Sequence, residues 1–129
     1  HWVHEMVMDA ILLANDEYFH YDLVDFVGPL QYAKYNEGDY FTWHTDGDQY
    51  MSDNVRYRKL SISVLLSDPK DYEGGELEIY DNAQRNEISF KPKAGDAIVF
   101  PSWVEHRVAP ITDGERISIV GWCGGPLFR

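Results

Sequence analysis

From Leu60 to Ser67 the chain alternates: Leu60, Ile62, Val64 and Leu66 fall on one set of positions, Ser61, Ser63, Leu65 and Ser67 on the other, Leu65 being the one apolar residue among the serines. Side chains two apart in a strand share a face, so this stretch reads as a strand with one buried face. A strand of that kind needs partners, and the rest of the chain offers them. Glu76 to Tyr80 alternates again after Gly74-Gly75, and Ile88 to Lys91 forms a short strand before the turn Pro92-Lys93-Ala94-Gly95. Asp96 to Phe100 is apolar and reads as central. Arg107 to Pro110 is a short strand, Thr112-Asp113-Gly114 a turn and Arg116 to Trp122 a last strand. Upstream, Leu30 to Tyr35 and Tyr40 to Asp46 are two strands joined through Asn36-Glu37-Gly38, and Tyr18 to Phe26 is another, broken by Gly28-Pro29. The one helix is Trp2 to Ala14, where Val3, Met6, Val7, Ala10, Ile11 and Ala14 recur at helical spacing and Asn15-Asp16 ends the run. Roughly eight short strands with near-regular turns predict a mainly β domain, a sandwich or jelly roll, behind an N-terminal helix.

With 129 residues there is room for one domain and a real core, not for two. The net charge of −11 argues against a nucleic-acid surface, which needs clustered Lys and Arg, and against an anionic membrane surface. No apolar run approaches the length of a transmembrane helix. The single cysteine, Cys123, excludes an internal disulfide framework and fits a reducing, cytoplasmic compartment. The chain begins with His1 rather than Met and reads as a fragment lacking some N-terminal elements.

His44-Thr45-Asp46 is the most informative short stretch. Two apart on a strand, His44 and Asp46 point the same way, an imidazole nitrogen beside a carboxylate oxygen. Ordinary turn chemistry explains an Asp before Gly47 equally well. A second histidine would complete the two-His-one-carboxylate facial triad of non-haem Fe(II) oxygenases, and His106, after Phe100-Pro101-Ser102-Trp103-Val104-Glu105, is the candidate. In a jelly roll the intervening strands can return the chain to the mouth it left. Arg116 and Ser118 share a face of the last strand, where a guanidinium can clamp a carboxylate and a hydroxyl can add a hydrogen bond. 2-Oxoglutarate needs such a cation for its distal carboxylate, and Tyr35 is a further candidate donor. The polar stretch from Asp46 to Lys59 reads as a long loop, and its Gly47–Lys59 part as a lid over a substrate. His1, His4 and His20 read as structural or exposed, Trp43, Trp103 and Trp122 as core or pocket wall, and Cys123 as a small hydrophobe.

The ordered set His44-x-Asp46, Leu66-Ser67-Asp68-Pro69-x-x-Tyr72-Glu73-Gly74-Gly75-Glu76-Leu77, Ala94-Gly95-Asp96, Phe100-Pro101-Ser102, His106-Arg107-Val108-x-Pro110 and Gly114-x-Arg116 resembles the 2-oxoglutarate/Fe(II) oxygenases. Within them it is similar to the prolyl 4-hydroxylase-like branch, the PKHD-type hydroxylases especially. The resemblance covers roughly residues 30 to 122. It implies a double-stranded β-helix forming a single Fe(II)/2-oxoglutarate dioxygenase domain over residues 1–129, with Fe(II) held by His44, Asp46 and His106. It implies that Arg116 binds the distal carboxylate of 2-oxoglutarate with Tyr35 assisting, O2 being the oxidant and ascorbate a candidate reductant. The implied reaction is hydroxylation of a C–H bond, of a prolyl or similar residue in a peptide or protein, with release of succinate and CO2. Asp46 stands where related halogenases carry a small residue, which disfavours halogenation. The same chemistry on a free small molecule, and a non-enzymatic cupin-like binding module, stay open as alternatives.

Overall fold

The computed structural model describes residues 2–46 and 57–126. Helix α1 spans Trp2–Ala14 and is followed by strands β1 (Asp25–Phe26), β2 (Gln31–Tyr35), β3 (Phe41–His44), β4 (Tyr57–Leu65), β5 (Tyr72–Gly74) and β6 (Leu77–Asp81). Strands β7 (Asn86–Phe90), β8 (Ala97–Pro101), β9 (His106–Val108), β10 (Ile111–Gly114) and β11 (Arg116–Gly125) complete it. The fold is mainly β, a double-stranded β-helix with an N-terminal helix, as the pattern of short strands leads one to expect. In the larger sheet β11 and β4 pair centrally; β8 flanks β4, and β1 and β2 flank β11. The smaller sheet runs β3-β9-β6-β7, and β5 pairs with β10 alone. The chain changes sheets between β2 and β3, which are neighbours in sequence but pair with β11 and β9 respectively.

Strand β4 shows why the larger sheet is the foundation. Leu60 and Ile62 pack with Val7 and Ile11 of α1 and with Cys123 in one core cluster. The other face is covered as well: Ser61 is wholly inaccessible, and Arg58 and Ser63 line the cavity between the sheets. The expectation of one buried face therefore fails, because the helix covers one side and the space between the sheets takes the other. The serines on that second face meet polar partners rather than water, which is what a buried hydroxyl requires. At the closed end Leu65, Tyr72 and Ile111 form a second cluster, against which Tyr35 packs.

Several local expectations are corrected. Tyr18 to Phe26 is not a strand: α1 runs on into a π-helical turn, Asn15–Phe19, that closes at His20 in the left-handed region. The Asn15 side chain then ties down Tyr21 through both its main-chain groups, and Phe19, Tyr21 and Leu23 pack onto the core under the helix. Their alternation imitates a strand, but only Asp25 and Phe26 pair, with β11. Thr112 to Gly114 belongs to strand β10 rather than a turn, because β5, unanticipated, pairs with it. Strand β8 lies at the border of its sheet rather than its centre, paired with β4. Tyr57, Arg58 and Lys59 belong to β4 and not to a loop; the remainder of the proposed lid, residues 47–56, lies outside the described residues. No helix among the described residues is long and apolar enough to cross a membrane.

Candidate metal centre and the cavity it opens into

His44 ends β3, His106 begins β9, and the two are register partners across the smaller sheet. Their ring centres are 4.1 Å apart. Each Nδ1 meets a carbonyl two residues earlier in the chain, Thr42 O at 2.7 Å for His44 and Val104 O at 2.9 Å for His106. A carbonyl only accepts, so Nδ1 carries the proton in the neutral ring and Nε2 keeps its lone pair. Asp46 lies two residues beyond the end of β3, in a bend, and its N–H donates to Ser102 O at 2.7 Å. Its Oδ1 is 3.4 Å from His44 Nε2 and its Oδ2 3.3 Å from His106 Nε2. One ligand atom from each of the three residues falls within 4.8 Å of the others. Ligands at right angles around a small divalent ion are about 3 Å apart, so the spacing suits a metal, and two imidazoles with one carboxylate are the donor set of a facial triad.

Asp46 is buried yet well supplied with donors. Ser61 Oγ donates to Oδ2 at 2.8 Å and Trp122 Nε1 donates to the same oxygen at 2.9 Å. Burial alone pushes the carboxyl pKa up, but the interaction with His106 and the hydrogen bonds from Trp122 and Ser61 outweigh it and bring the pKa down to about 2. A permanently ionised carboxylate is the form that ligates a cation. Arg58, on β4, stacks its guanidinium 3.9 Å from the centre of the Trp122 ring.

The opposite end of the same cavity has the opposite polarity. Arg116, at the start of β11, is 2% exposed. It donates from Nη1 to Ser118 Oγ at 3.3 Å and interacts electrostatically with the Tyr72 hydroxyl. Its register partner on β2 is Tyr35, whose ring centre is 5.8 Å from the guanidinium carbon. Arg116 Nε is buried without a hydrogen-bond partner, as is Arg58 Nε beside the Trp122 ring, so each end of the cavity holds an orphan guanidinium donor. Burial raises the Tyr35 and Tyr72 pKa values, with Arg116 pulling each back down, so both phenols stay protonated donors at neutral pH.

The cavity between these ends measures about 310 Å³, and Tyr35, His44, Asp46, His106, Arg116 and Ser118 all line it. Sequence reasoning missed four residues that complete the arrangement: Trp122 and Ser61 on Asp46, Arg58 over Trp122, and Tyr72 on Arg116. A signal for Trp122 was present, since it continues the two-residue period of Arg116, Ser118 and Val120 along β11 and all four line the cavity. Of the tryptophans read as core or pocket wall, Trp122 lines the cavity, whereas Trp103 is 43% exposed. His4 packs edge-on against Phe26 and His20 is exposed, both apart from the centre.

A sequence model of the 2OG-Fe(II) oxygenase superfamily matches residues 30–124. A PKHD-type hydroxylase of Thermosynechococcus vestitus is 35% identical over 119 residues, which are 92% of this chain and 52% of that protein. A second, from Maricaulis maris, is 40% identical over 90 residues, 70% of this chain and 39% of that protein. The chain thus spans about two fifths to one half of the length of these curated relatives. Among solved structures, a prolyl-4-hydroxylase of Pseudomonas putida superposes with a TM-score of 0.67 at 32% identity, covering 89% of this chain and 61% of that one.

Proposed function

The chain belongs to the 2OG-Fe(II) oxygenase superfamily, and from that membership we propose that it carries the catalytic centre of a 2-oxoglutarate-dependent hydroxylase acting on a prolyl or similar residue of a peptide. The observation that carries this reading is the polarity of one cavity: lone pairs converge at one end and an incompletely satisfied guanidinium lies at the other. A co-substrate that chelates a cation and carries a distal carboxylate matches both ends at once. The superfamily's co-factors, Fe(II), 2-oxoglutarate and O2, are those the donor sets suit.

His44, Asp46 and His106 would hold Fe(II), the two imidazoles through Nε2, because Thr42 and Val104 already occupy their other nitrogens. When bound, the iron supplies the oxygen-activating chemistry by which 2-oxoglutarate and O2 give succinate and CO2, the second oxygen atom entering the C–H bond of the substrate. Arg116 binds the distal carboxylate, through charge-assisted hydrogen bonds that gain strength in a buried setting. Ser118 and Tyr72 fix the guanidinium, and Tyr35 faces it from β2 as a further hydroxyl donor. Leu77, Phe100, Val108 and Val120 contribute apolar wall that excludes water from the reacting centre. The prolyl preference draws its support from the PKHD-type relatives and the Pseudomonas putida enzyme.

The test is a screen of proline-containing peptides against the iron-loaded chain under isotopically labelled O2. The expected result is one labelled oxygen in a peptide, with succinate formed in equal amount. Succinate formation stimulated by free small molecules and by no peptide would transfer the chemistry to the other substrate class.

A further inference from the structure

Asp46 is held more tightly than a metal ligand needs to be merely to stay in place. Its Oδ2 accepts from two buried donors, Ser61 Oγ at 2.8 Å and Trp122 Nε1 at 2.9 Å. A carboxylate oxygen has two lone pairs in its plane, so these donors fill it. Ser61 uses its one hydroxyl hydrogen on Asp46, so across the 3.0 Å contact with Ser102 Oγ it is Ser102 that donates. Both serines are wholly inaccessible to solvent. Ser102 also accepts the Asp46 N–H and donates its own N–H to Lys59 O, which ties the relay to the backbone of both neighbouring elements. The Arg58 guanidinium covers the indole at 3.9 Å and keeps its N–H aimed at Asp46. No hydrogen bond among the described residues reaches Oδ1, whose neighbour is His44 Nε2 at 3.4 Å, whereas Oδ2 has its two donors as well as His106 Nε2 at 3.3 Å.

We propose that Trp122, Ser61 and Ser102 are positioning residues that restrict Asp46 to ligation through Oδ1 alone. This rests on the oxygenase reading above and deepens it. An octahedral ion held by one atom from each of His44, Asp46 and His106 keeps three positions open, two for a chelating co-substrate and one for O2. A carboxylate free to bind through both oxygens would close one of them. The serine relay and the indole therefore protect co-substrate binding, not metal binding. That is an unusual demand on outer groups, which ordinarily support metal affinity itself.

The two affinities separate the possibilities, and Co(II) serves as a probe that needs no turnover. Metal affinity is read by competition with a chelator, and 2-oxoglutarate affinity from the change in the Co(II) visible spectrum of the loaded protein. In a Ser61→Ala/Trp122→Phe variant, Co(II) affinity should stay within about threefold of wild type while 2-oxoglutarate affinity falls at least about tenfold. Ser61→Thr, which keeps the hydroxyl, should behave as wild type. Retained metal binding reports that the variant is folded. A parallel fall of both affinities, or no change in either, would overturn the proposal. A wild-type chain that binds Co(II) and 2-oxoglutarate beside an unchanged variant would overturn this inference alone; a wild-type chain that binds neither would overturn the oxygenase reading with it.

Discussion

The two ends of the cavity are built by different means. At the metal end, His44 and His106 come from the smaller sheet and are oriented by their own backbone, through carbonyls two residues away. At the Arg116 end, the side chain comes from the larger sheet and is oriented by other side chains, Ser118 two residues along its own strand and Tyr72 from β5. Asp46 sits between, joined to the smaller sheet by sequence and to the larger one by Ser61 and Trp122. The comparison teaches that a lone-pair site can be set up locally, since it needs only that acceptors be left bare. A buried cation needs neutral side-chain partners, near or far along the chain, since its charge must be kept in place without being neutralised. Arg116 has hydroxyls around it and no carboxylate partner among the described residues, which leaves its charge for a ligand.

If that division holds, damage to one end should spare the other. The largest effect is expected at the metal end: His106→Ala should weaken Fe(II) or Co(II) binding by more than about 100-fold, read by chelator competition, without unfolding the chain. A smaller effect follows from Asp46 in the metal-free protein. Its folded pKa of about 2 lies below its ordinary 3.8. A depressed pKa stabilises the fold above the ordinary value and is lost as pH falls towards the folded one, so unfolding stability should drop by about 2 kcal/mol between pH 5 and pH 2 on this account. Urea titrations of Asp46→Asn should show that part of the slope removed. Smaller again is Gly75→Ala at the other end. Gly75 has φ +66°, and a Cβ there would collide with Ile111 Cδ1 and crowd Arg116 Cδ at 3.1 Å. Displacing Arg116 should cost about tenfold in 2-oxoglutarate affinity, with metal affinity unchanged. A loss of metal binding in Gly75→Ala would show that the ends are coupled after all.

Much of this was legible in the sequence because strand periodicity is a local property. The two-residue spacing of Arg116 and Ser118 carries into the structure as shared exposure to one cavity, whereas Asp46 lies in a bend beyond β3 and lines that cavity together with both Thr45 and His44. The helix was legible for the same reason, at its own period. What was not legible depends on partners far along the chain. Strands β5 and β10 are short and owe their extended form to each other. Ser61 looked like the solvent face of an amphipathic strand, and only its meeting with Asp46, Ser102 and Trp122 from three other elements makes it buried and polar at once. Tyr18 to Phe26 fails in the other direction: the alternation of Phe19, Tyr21 and Leu23 imitates a strand, yet packing under α1 decides its form.

The central claim is that one cavity receives a metal at one end and a carboxylate at the other. The most direct measurement is anaerobic titration of the purified chain with Fe(II) and 2-oxoglutarate, watching for the weak visible metal-to-ligand charge-transfer band of the chelate. The band is expected in wild type, and in Arg116→Ala the same band only at 2-oxoglutarate concentrations raised at least about tenfold, with iron content unchanged. Iron bound with no band at any 2-oxoglutarate concentration, or an Arg116→Ala titration that overlays wild type, would contradict it.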